Sequence, residues 1–308
     1  MVLFGAPFDL CGFRLGARLG PAAFRLAGID EALAKLGHRL FDKGDIIAEP
    51  QPESKRGIKH VNTCIEGLLK VRDSVAQTLQ AGEFPIVVGG DHSLGLGTVA
   101  GAQAAFGNDV AVLWVDAHGD INTPATSPSG NLHGMSFGAI LGLESGVEGK
   151  QDEDWQKVRA VMNQPLKPNR AGWLGLREID DGERVTLRNC EGAFICTMHD
   201  LDRHGMAASL DRLDKWIDGL GVKNLWISFD VDCLDPILAP GTGTAVHGGL
   251  TYREMHLMAE LLCEHLESSR YRLCGLDIVE INPLFDKNNE TARTAVEWVA
   301  SVFGKRIL

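Results

Sequence analysis

Seven aspartate and histidine residues lie in three short segments of this chain, and both residue types bind metal ions in proteins. The segments read Gly89-Gly90-Asp91-His92-Ser93, Asp116-Ala117-His118-Gly119-Asp120 and Asp230-Val231-Asp232. Side chains at positions i, i+2 and i+4 of an extended segment point the same way, so those within a segment can project together. So much negative charge in one place is unfavourable unless cations neutralise it. The pattern therefore predicts a pair of metal ions.

The donor set indicates which metal and which chemistry to expect. Histidine and aspartate ligands without a thiolate favour Mn²⁺ over structural zinc. Six protein ligands around two ions require shared carboxylates, and a carboxylate can bridge metals about 3.5–4 Å apart. A hydroxide held between two such ions is a strong nucleophile near neutral pH. We therefore expect a hydrolase.

Each of the three segments follows an apolar run that is typical of a buried strand. Strands are predicted near residues 2–7, 85–89, 110–116, 172–176, 192–196, 224–230 and 272–277. Helices are predicted over residues 22–36, 61–80, 210–220 and 291–303. A capping box at Thr251 predicts the start of a further helix. This alternation predicts a three-layer α/β/α fold with a mainly parallel sheet. Such sheets bind ligands outside the carboxyl ends of their strands, where all three segments fall. The sequence contains no obvious linker, so we expect residues 1–308 to form a single domain.

Composition excludes several classes of protein. The net charge of −11 argues against a nucleic-acid-binding protein, which would need a basic surface. The sequence lacks a signal peptide and an apolar run approaching the roughly 18 residues of a membrane span, so we expect no membrane partner. Seven cysteines without CxxC spacing indicate reduced thiols and a cytoplasmic location.

A competing interpretation concerns the glycines that follow the first segment. Gly95, Gly97 and Gly101 open a predicted helix after a strand, and Asp116 comes about 20 residues later, as in a dinucleotide-binding fingerprint. However, the third glycine is one residue late, and His92 and Ser93 occupy the place of the tight phosphate turn. A nucleotide site would also leave the later aspartates unexplained.

In combination, the segments resemble the three signatures of the ureohydrolases, the family of arginases, agmatinases and related guanidino-group hydrolases. The third signature extends from Ser228 to Pro236, and the resemblance runs from Gly5-Ala6-Pro7-Phe8 to Glu280-Ile281-Asn282-Pro283. It implies an arginase-like fold, two Mn²⁺ per subunit and a homotrimer or homohexamer.

The resemblance also implies a role for each residue of the segments. One manganese would be held by His92, Asp116, Asp120 and Asp230, and the second by His118, Asp116, Asp230 and Asp232. Asp116 and Asp230 would then bridge the metals, while Asp91 would lie behind the ligands. The catalytic group would comprise Glu280, which pairs with the substrate guanidinium, His133, which shuttles protons, and Asp120.

The loop after the second segment favours L-arginine as the substrate, with L-ornithine and urea as products. By resemblance to arginases, Asn122, Ser129 and Asn131 would bind the α-carboxylate, which agmatine lacks. Asp180 and Glu183 would approach the α-ammonium group, directly or through water, and Thr244 would supply a hydroxyl on the substrate side. The alternatives are an agmatinase or guanidinobutyrase and, more remotely, a metal-binding homologue without catalytic activity.

Three residues depart from the pattern of the family. Glu178 stands where arginases that match this chain best have an aspartate, and Arg18 stands where an acidic residue is usual. His247 occupies a position near the pocket that is usually apolar. The sequence assigns no role to these three departures.

Overall fold

Eight parallel strands form a single sheet in the computed structural model, which describes residues 1–307. The strands are β1 Val2–Ala6, β2 Phe41–Asp45, β3 Pro85–Gly89, β4 Val110–Val115, β5 Ala171–Leu176, β6 Phe194–Thr197, β7 Asn224–Asp230 and β8 Arg272–Val279. They lie in the order β2-β1-β3-β8-β7-β4-β5-β6, and each neighbouring pair is parallel.

Helices cover both faces of the sheet, which confirms the predicted three-layer α/β/α fold. They are α1 Gly20–Leu26, α2 Ile29–Ala34, α3 Val61–Gln80, α4 Leu94–Phe106, α5 Ser136–Ile140, α6 Lys150–Arg159, α7 Asp181–Arg188, α8 Met198–Leu220, α9 Tyr252–Ser268 and α10 Glu290–Val302. Helices α1, α2, α8, α9 and α10 pack on one face, and α3 to α6 pack on the other. Within residues 1–307, no helix is long and apolar enough to cross a membrane.

The central strands are largely apolar because both faces of the sheet are covered there, whereas the edge strand β2 is polar and exposed. In β4, Leu113 and Val115 point into the core beneath α8 to α10, whereas Val112 and Trp114 point into the core beneath α3 and α4. All four side chains are fully buried. This packing fixes the register of β4, since a shift of one residue would exchange its two faces.

The glycines of α4 have a packing role rather than a phosphate-binding one. A Cβ atom at Gly97 or Gly101 would lie 2.9 Å and 2.6 Å from atoms of α3, and one at Gly95 would lie 2.3 Å from the Trp114 ring. These glycines therefore allow α4 to approach α3 and the sheet closely, which accounts for the spacing that resembled a dinucleotide fingerprint.

Several element predictions were incomplete or wrong. The helix predicted over residues 22–36 is two short helices, because Gly28 adopts a left-handed conformation with φ 86° between them. The edge strand β2 and helices α5, α6 and α7 were not predicted. The helix predicted over residues 210–220 belongs to α8, which extends back to Met198 but is interrupted at Gly205, where φ is 79° and ψ is 161°. The predicted capping box at Thr251 is present, since its hydroxyl accepts a hydrogen bond from Glu254 N.

The order of the strands brings the acidic segments together. Strands β3, β8, β7 and β4 are adjacent at the centre of the sheet, and their carboxyl ends lie along the same edge. His92 follows β3, Glu280 follows β8, Asp230 ends β7 and Asp116 follows β4. Segments distant in sequence therefore meet at one place.

Candidate metal centre and active site

The first group of ligand atoms, here called the inner cluster, consists of His92, Asp116, Asp120 and Asp230. The Nδ1 atom of His92 lies 2.8 Å from Asp116 Oδ2, 3.1 Å from Asp120 Oδ2 and 3.1 Å from Asp230 Oδ2. All four side chains are buried, with His92 only 1% exposed. One imidazole nitrogen thus faces three carboxylate oxygens in a buried pocket.

The second group, here called the outer cluster, consists of His118, Asp116 and Asp232. The Nδ1 atom of His118 lies 3.4 Å from Asp116 Oδ1 and 3.0 Å from Asp232 Oδ2. The side chain of His118 is 26% exposed, so solvent reaches this cluster at the histidine, while the side chains of Asp116 and Asp232 are buried. Asp116 presents one carboxylate oxygen to each cluster, which is the arrangement of a bridging ligand.

The donor atoms fit metal ions better than they fit one another. His92 Nδ1 and Asp120 Oδ2 are buried, but neither has a hydrogen-bond partner of acceptable geometry among residues 1–307. The sets His92, Asp116, Asp230 and Asp116, His118, Asp232 each bring one donor atom per residue within 4.8 Å of the others. The four aspartates of the two clusters carry four negative charges when ionised, which two divalent cations would balance.

The electrostatics of the inner cluster also indicate missing positive charge. Burial opposes the charged form of His92, but the surrounding carboxylates, Asp116 first among them, hold its pKa well above the usual range. Burial and the nearby charge of Asp232 likewise raise the pKa of Asp230 well above its usual range. The cluster therefore retains protons in the absence of other cations, and bound divalent ions would displace them.

A relay of buried side chains orients His92. Its ring stacks on Trp114 with a centroid separation of 3.8 Å and an interplanar angle of 5°. Its Nε2 atom lies 2.9 Å from Ser228 Oγ, which donates at 2.5 Å to Asp277 Oδ1. Because the serine proton is donated to Asp277, Ser228 accepts from Nε2–H, and Nδ1 points into the inner cluster, where a metal ion would displace its proton. Thr98 and Trp226 complete the shell by donating to Asp277 Oδ2.

The outer cluster is supported chiefly through the backbone. The guanidinium of Arg177 donates to the carbonyl oxygen of Asp232 at 2.6 Å and to that of Val246 at 2.8 Å, with longer bonds to Cys233 and Leu234. The hydroxyl of Thr244 donates to Asp232 Oδ2 at 3.0 Å. The ligand Asp232 and the loop that carries Thr244 are thus held together by one partly buried arginine.

Glu280 and His133 lie together beside the inner cluster. Glu280 Oε1 accepts a hydrogen bond from His92 N at 3.0 Å and lies 3.4 Å from His133 Nδ1. Burial opposes protonation of His133, but the adjacent Glu280 carboxylate raises its pKa to about 9. Asp91 lies behind the ligands as predicted, since its carboxylate accepts from Ser93 and from Cys11 N.

Two residues of the site have left-handed backbone conformations, which are costly for any residue except glycine. Asp120 has φ 50° and Glu280 has φ 63°. Surrounding hydrogen bonds hold both conformations: Phe137 N donates to the carbonyl oxygen of Asp120 at 2.7 Å, and Glu280 N donates to that of Gly90 at 2.7 Å. Both side chains are consequently turned into the site.

The residues predicted to bind the amino-acid end of the substrate differ in how deeply they are buried. Asn122 is 3% exposed and donates to Asp180 Oδ2 at 2.9 Å. Ser129 is exposed and Asn131 is half-buried, and both contact Lys59 Nζ, through the Ser129 carbonyl at 3.4 Å and Asn131 Oδ1 at 3.3 Å. The Asn122–Asp180 hydrogen bond thus joins a residue predicted to bind the α-carboxylate to one predicted to approach the α-ammonium group.

The three departures from the family pattern lie in different surroundings. Arg18 pairs with the buried Asp9 at 2.5 Å and so closes the loop between them. Glu178 is exposed directly after β5, and His247 is exposed on the loop held by Arg177. The structure explains Arg18 but gives no reason for the identities of Glu178 and His247.

Asp277 and Arg177 were missed by the sequence interpretation. Asp277 lies inside a β-strand, and an isolated aspartate in an apolar run is a signal of a buried polar partner that could have been noticed. Arg177 follows β5 without any distinctive motif, so its contacts with the Asp232 and Val246 carbonyls depend on the tertiary fold.

Comparison with known proteins agrees with this geometry. The model of the Arginase family matches residues 1–304. A Bacillus caldovelox arginase is 38% identical over 314 residues, covering 99% of this chain and 98% of the relative, and a Bacillus subtilis arginase is 36% identical over 307 residues, with shares of 99% and 98%.

Solved structures show the same relation. The native Bacillus caldovelox arginase at pH 5.6 superposes with a TM-score of 0.88 at 37% identity, covering 100% of this chain and 99% of the other. An Entamoeba histolytica arginase in complex with L-ornithine has a TM-score of 0.86 at 27% identity, with shares of 99% and 98%. Because the family model and these relatives span nearly the whole chain, the chain belongs to the arginase family.

Proposed function

We propose that this protein is an arginase that hydrolyses L-arginine to L-ornithine and urea. The observation that carries the proposal is the pair of buried ligand clusters that share Asp116, with Glu280 and His133 directly beside them. The relatives from Bacillus caldovelox and Bacillus subtilis are arginases, which supports the choice of substrate. We treat residues 1–308 as one catalytic domain.

The inner cluster would hold one Mn²⁺ and the outer cluster a second, with Asp116 and Asp230 as shared ligands. The resemblance to arginases assigns this role to Asp230, whose Oδ2 faces His92 and whose Oδ1 accepts from the backbone N of the outer-cluster residue Asp232 at 2.8 Å. Oxygen and imidazole donors suit Mn²⁺. When bound, the two ions would supply Lewis acidity and lower the pKa of water enough to make it a nucleophile.

The side chains of the protein would bind the guanidinium and handle the protons. Glu280 has one carboxylate oxygen engaged by His92 N, and its Oε2 lies towards Gly243, where a planar cation can pair with it. His133 would donate its proton to the leaving amine, and the adjacent Glu280 carboxylate, which raises the pKa of His133, favours the protonated imidazole. Asp120 would serve both as a ligand and as part of this catalytic group.

The amino-acid end of the substrate would lie along the loop from Asn122 to Asn131. Asn122, Ser129 and Asn131 would bind the α-carboxylate, and Asp180 and Glu183 would lie at the end of the site that takes the α-ammonium group. Thr244 would contribute from the opposite wall, next to Asp232. We further propose that the protein acts in the cytoplasm. We also propose that it forms a homotrimer or homohexamer, which light scattering on the purified protein would test.

The deciding experiment measures urea release from L-arginine, agmatine and 4-guanidinobutyrate by the manganese-loaded protein. We expect L-arginine to have the highest kcat/KM. A preference for agmatine would contradict the proposal, because agmatine lacks the carboxylate that the Asn122 loop would bind. Activity towards none of the three would instead indicate a non-catalytic homologue.

Variants of the loop refine the same test. Replacing Asn122 and Ser129 with alanine should mainly raise KM for L-arginine, since these residues would bind ground state and transition state alike. Ser268→Ala provides a matched control, because Ser268 lies at the end of α9 near the amino end of β8, on the opposite edge of the sheet. A fall in kcat with unchanged KM in the loop variants would contradict the carboxylate-binding role.

A further inference from the structure

Glu183 has a carboxylate committed to two backbone amides. It lies on the first turn of α7 and is 3% exposed. Its Oε2 accepts from Asp180 N at 3.0 Å, which is the usual reciprocal bond of a capping box. Its Oε1 leaves the helix and accepts from Ile121 N at 3.0 Å. The capping role therefore accounts for only one of the two oxygens.

The second bond holds the turn that carries Asp120. Ile121 directly follows Asp120, whose φ of 50° is unfavourable without support. The same turn is held at Gly119, whose carbonyl oxygen accepts from Trp173 Nε1 at 3.0 Å. A Cβ atom at Gly119 would lie only 3.0 Å from Glu183 Oε1, so the carboxylate packs directly against the turn.

The neighbouring Asp180 differs from Glu183 in both exposure and bonding. It is exposed, and its carboxylate engages the side chain of Asn122 rather than the backbone of the turn. Asp180 is thus accessible to a ligand that enters from solvent, although its Oδ2 accepts from Asn122. Glu183 lies behind it, with each oxygen already bonded.

We propose that Glu183 is a positioning residue, which fixes the turn at Asp120 so that its carboxylate reaches the inner cluster, and that the substrate ammonium group is left to Asp180. The proposal rests on the metal-binding role assigned to Asp120 under the proposed function. In this proposal Glu183 does not contact the substrate directly but affects metal binding indirectly, through the position of Asp120. Helix α7 would accordingly connect the ammonium-binding end of the site to the inner cluster.

The test compares Glu183→Gln with Asp180→Asn by calorimetric titration of the metal-free proteins with Mn²⁺. Glutamine keeps the size of the side chain but turns a donor towards one of the two amides. We expect Glu183→Gln to weaken one of the two Mn²⁺ sites about 10-fold to 100-fold, the usual range for residues behind a ligand. Asp180→Asn should leave the titration unchanged. An unchanged titration of Glu183→Gln would overturn the proposal.

Kinetics with two substrates separate positioning from contact. 5-Guanidinopentanoate keeps the guanidinium and carboxylate of L-arginine but lacks the α-ammonium group. We expect Glu183→Gln to lower kcat by the same factor for both substrates, whereas Asp180→Asn should raise KM for L-arginine alone. A raised KM confined to L-arginine in Glu183→Gln would show direct contact and overturn the proposal.

A second variant keeps the test informative if Glu183→Gln does not fold. Glu183→Asp retains the charge but is one methylene shorter, so it cannot reach both amides, and the same weakened Mn²⁺ site is expected. Parent-like Mn²⁺ affinity in this variant would overturn the proposal. Because the titration needs no turnover, it also distinguishes a failure of this proposal from a failure of the arginase assignment.

Discussion

The inner and outer clusters share Asp116 but are built on different kinds of support. His92 of the inner cluster is 1% exposed and is backed by the side chains of Trp114, Ser228 and Asp277. His118 of the outer cluster is 26% exposed, and its partner Asp232 is held mainly through its backbone carbonyl by Arg177. Buried side-chain relays fix both the position and the tautomer of a ligand, whereas backbone support fixes position alone.

This difference suggests a division between the two halves of the site. We expect the ion in the inner cluster to be bound more tightly and exchanged more slowly than the ion in the outer cluster. Variants of shared residues should weaken metal binding at both clusters. Variants of supporting residues should weaken metal binding at one cluster and leave the other unchanged, which tests whether the two supports are separate.

The largest effect is expected at a shared ligand. Asp230→Asn removes a charge from the inner cluster and a proposed shared ligand from the second metal site, and we expect binding of Mn²⁺ and release of urea both to be lost. Calorimetric titration of the metal-free protein and a urea assay measure this, with circular dichroism to verify folding. Retention of two Mn²⁺ ions by a folded variant would contradict a bridging role for Asp230.

The next largest effect is expected behind the inner cluster. Asp277→Asn places a donor where the carboxylate receives hydrogen bonds from Ser228, Thr98 and Trp226, and so disturbs the orientation of His92. We expect about 10-fold to 100-fold weaker binding of the inner ion, with the outer ion little changed. Equal weakening of both ions in the calorimetric titration would remove the proposed distinction between the clusters.

A smaller effect is expected behind the outer cluster. Arg177→Lys keeps the charge but loses the planar guanidinium that bonds several carbonyl oxygens at once. We expect about tenfold weaker binding of the outer ion, at the low end for such a residue, and unchanged binding of the inner ion. Loss of the inner ion in this variant would show that the supports of the two clusters are not separate.

The smallest effect is expected from a single hydroxyl. Thr244→Val removes the donor to Asp232 Oδ2 and keeps the shape of the side chain. Since one hydrogen bond contributes about 1 kcal/mol net, we expect roughly fivefold weaker binding of the outer ion. An electron paramagnetic resonance titration with Mn²⁺ is sensitive enough for this range, and an effect larger than that of Arg177→Lys would reverse the order proposed here.

The ligands could be predicted from the sequence because each follows an apolar run that forms a central strand. The edge strand β2 could not, because its sequence Phe41-Asp42-Lys43-Gly44-Asp45 is polar and every residue in it is exposed. Helix α7 begins with Asp181-Gly182-Glu183, which lacks an apolar periodicity until later residues. The strand and helix patterns identify buried elements and fail where little surface is buried.

The supporting residues were less predictable than the ligands. The roles of Asp277 and Arg177 depend on contacts with residues 49 and 55 positions away in the chain, which no local pattern specifies. Glu183 was predicted to face the substrate, and that assignment came from resemblance alone. Its bond to Asp180 N is the local bond of a capping box, whereas its bond to Ile121 N could be seen only in the folded chain.

The left-handed conformations of Asp120 and Glu280 have a consequence for engineering this protein. Each such residue costs of order 1–3 kcal/mol, a sizeable part of the roughly 5–15 kcal/mol by which proteins are stable. Glycine at these two positions would relieve the backbone but remove the functional carboxylates. His60 has the same kind of conformation, with φ 54°, at the start of α3 and outside the proposed site. Thermostabilisation without loss of turnover is therefore best sought at His60.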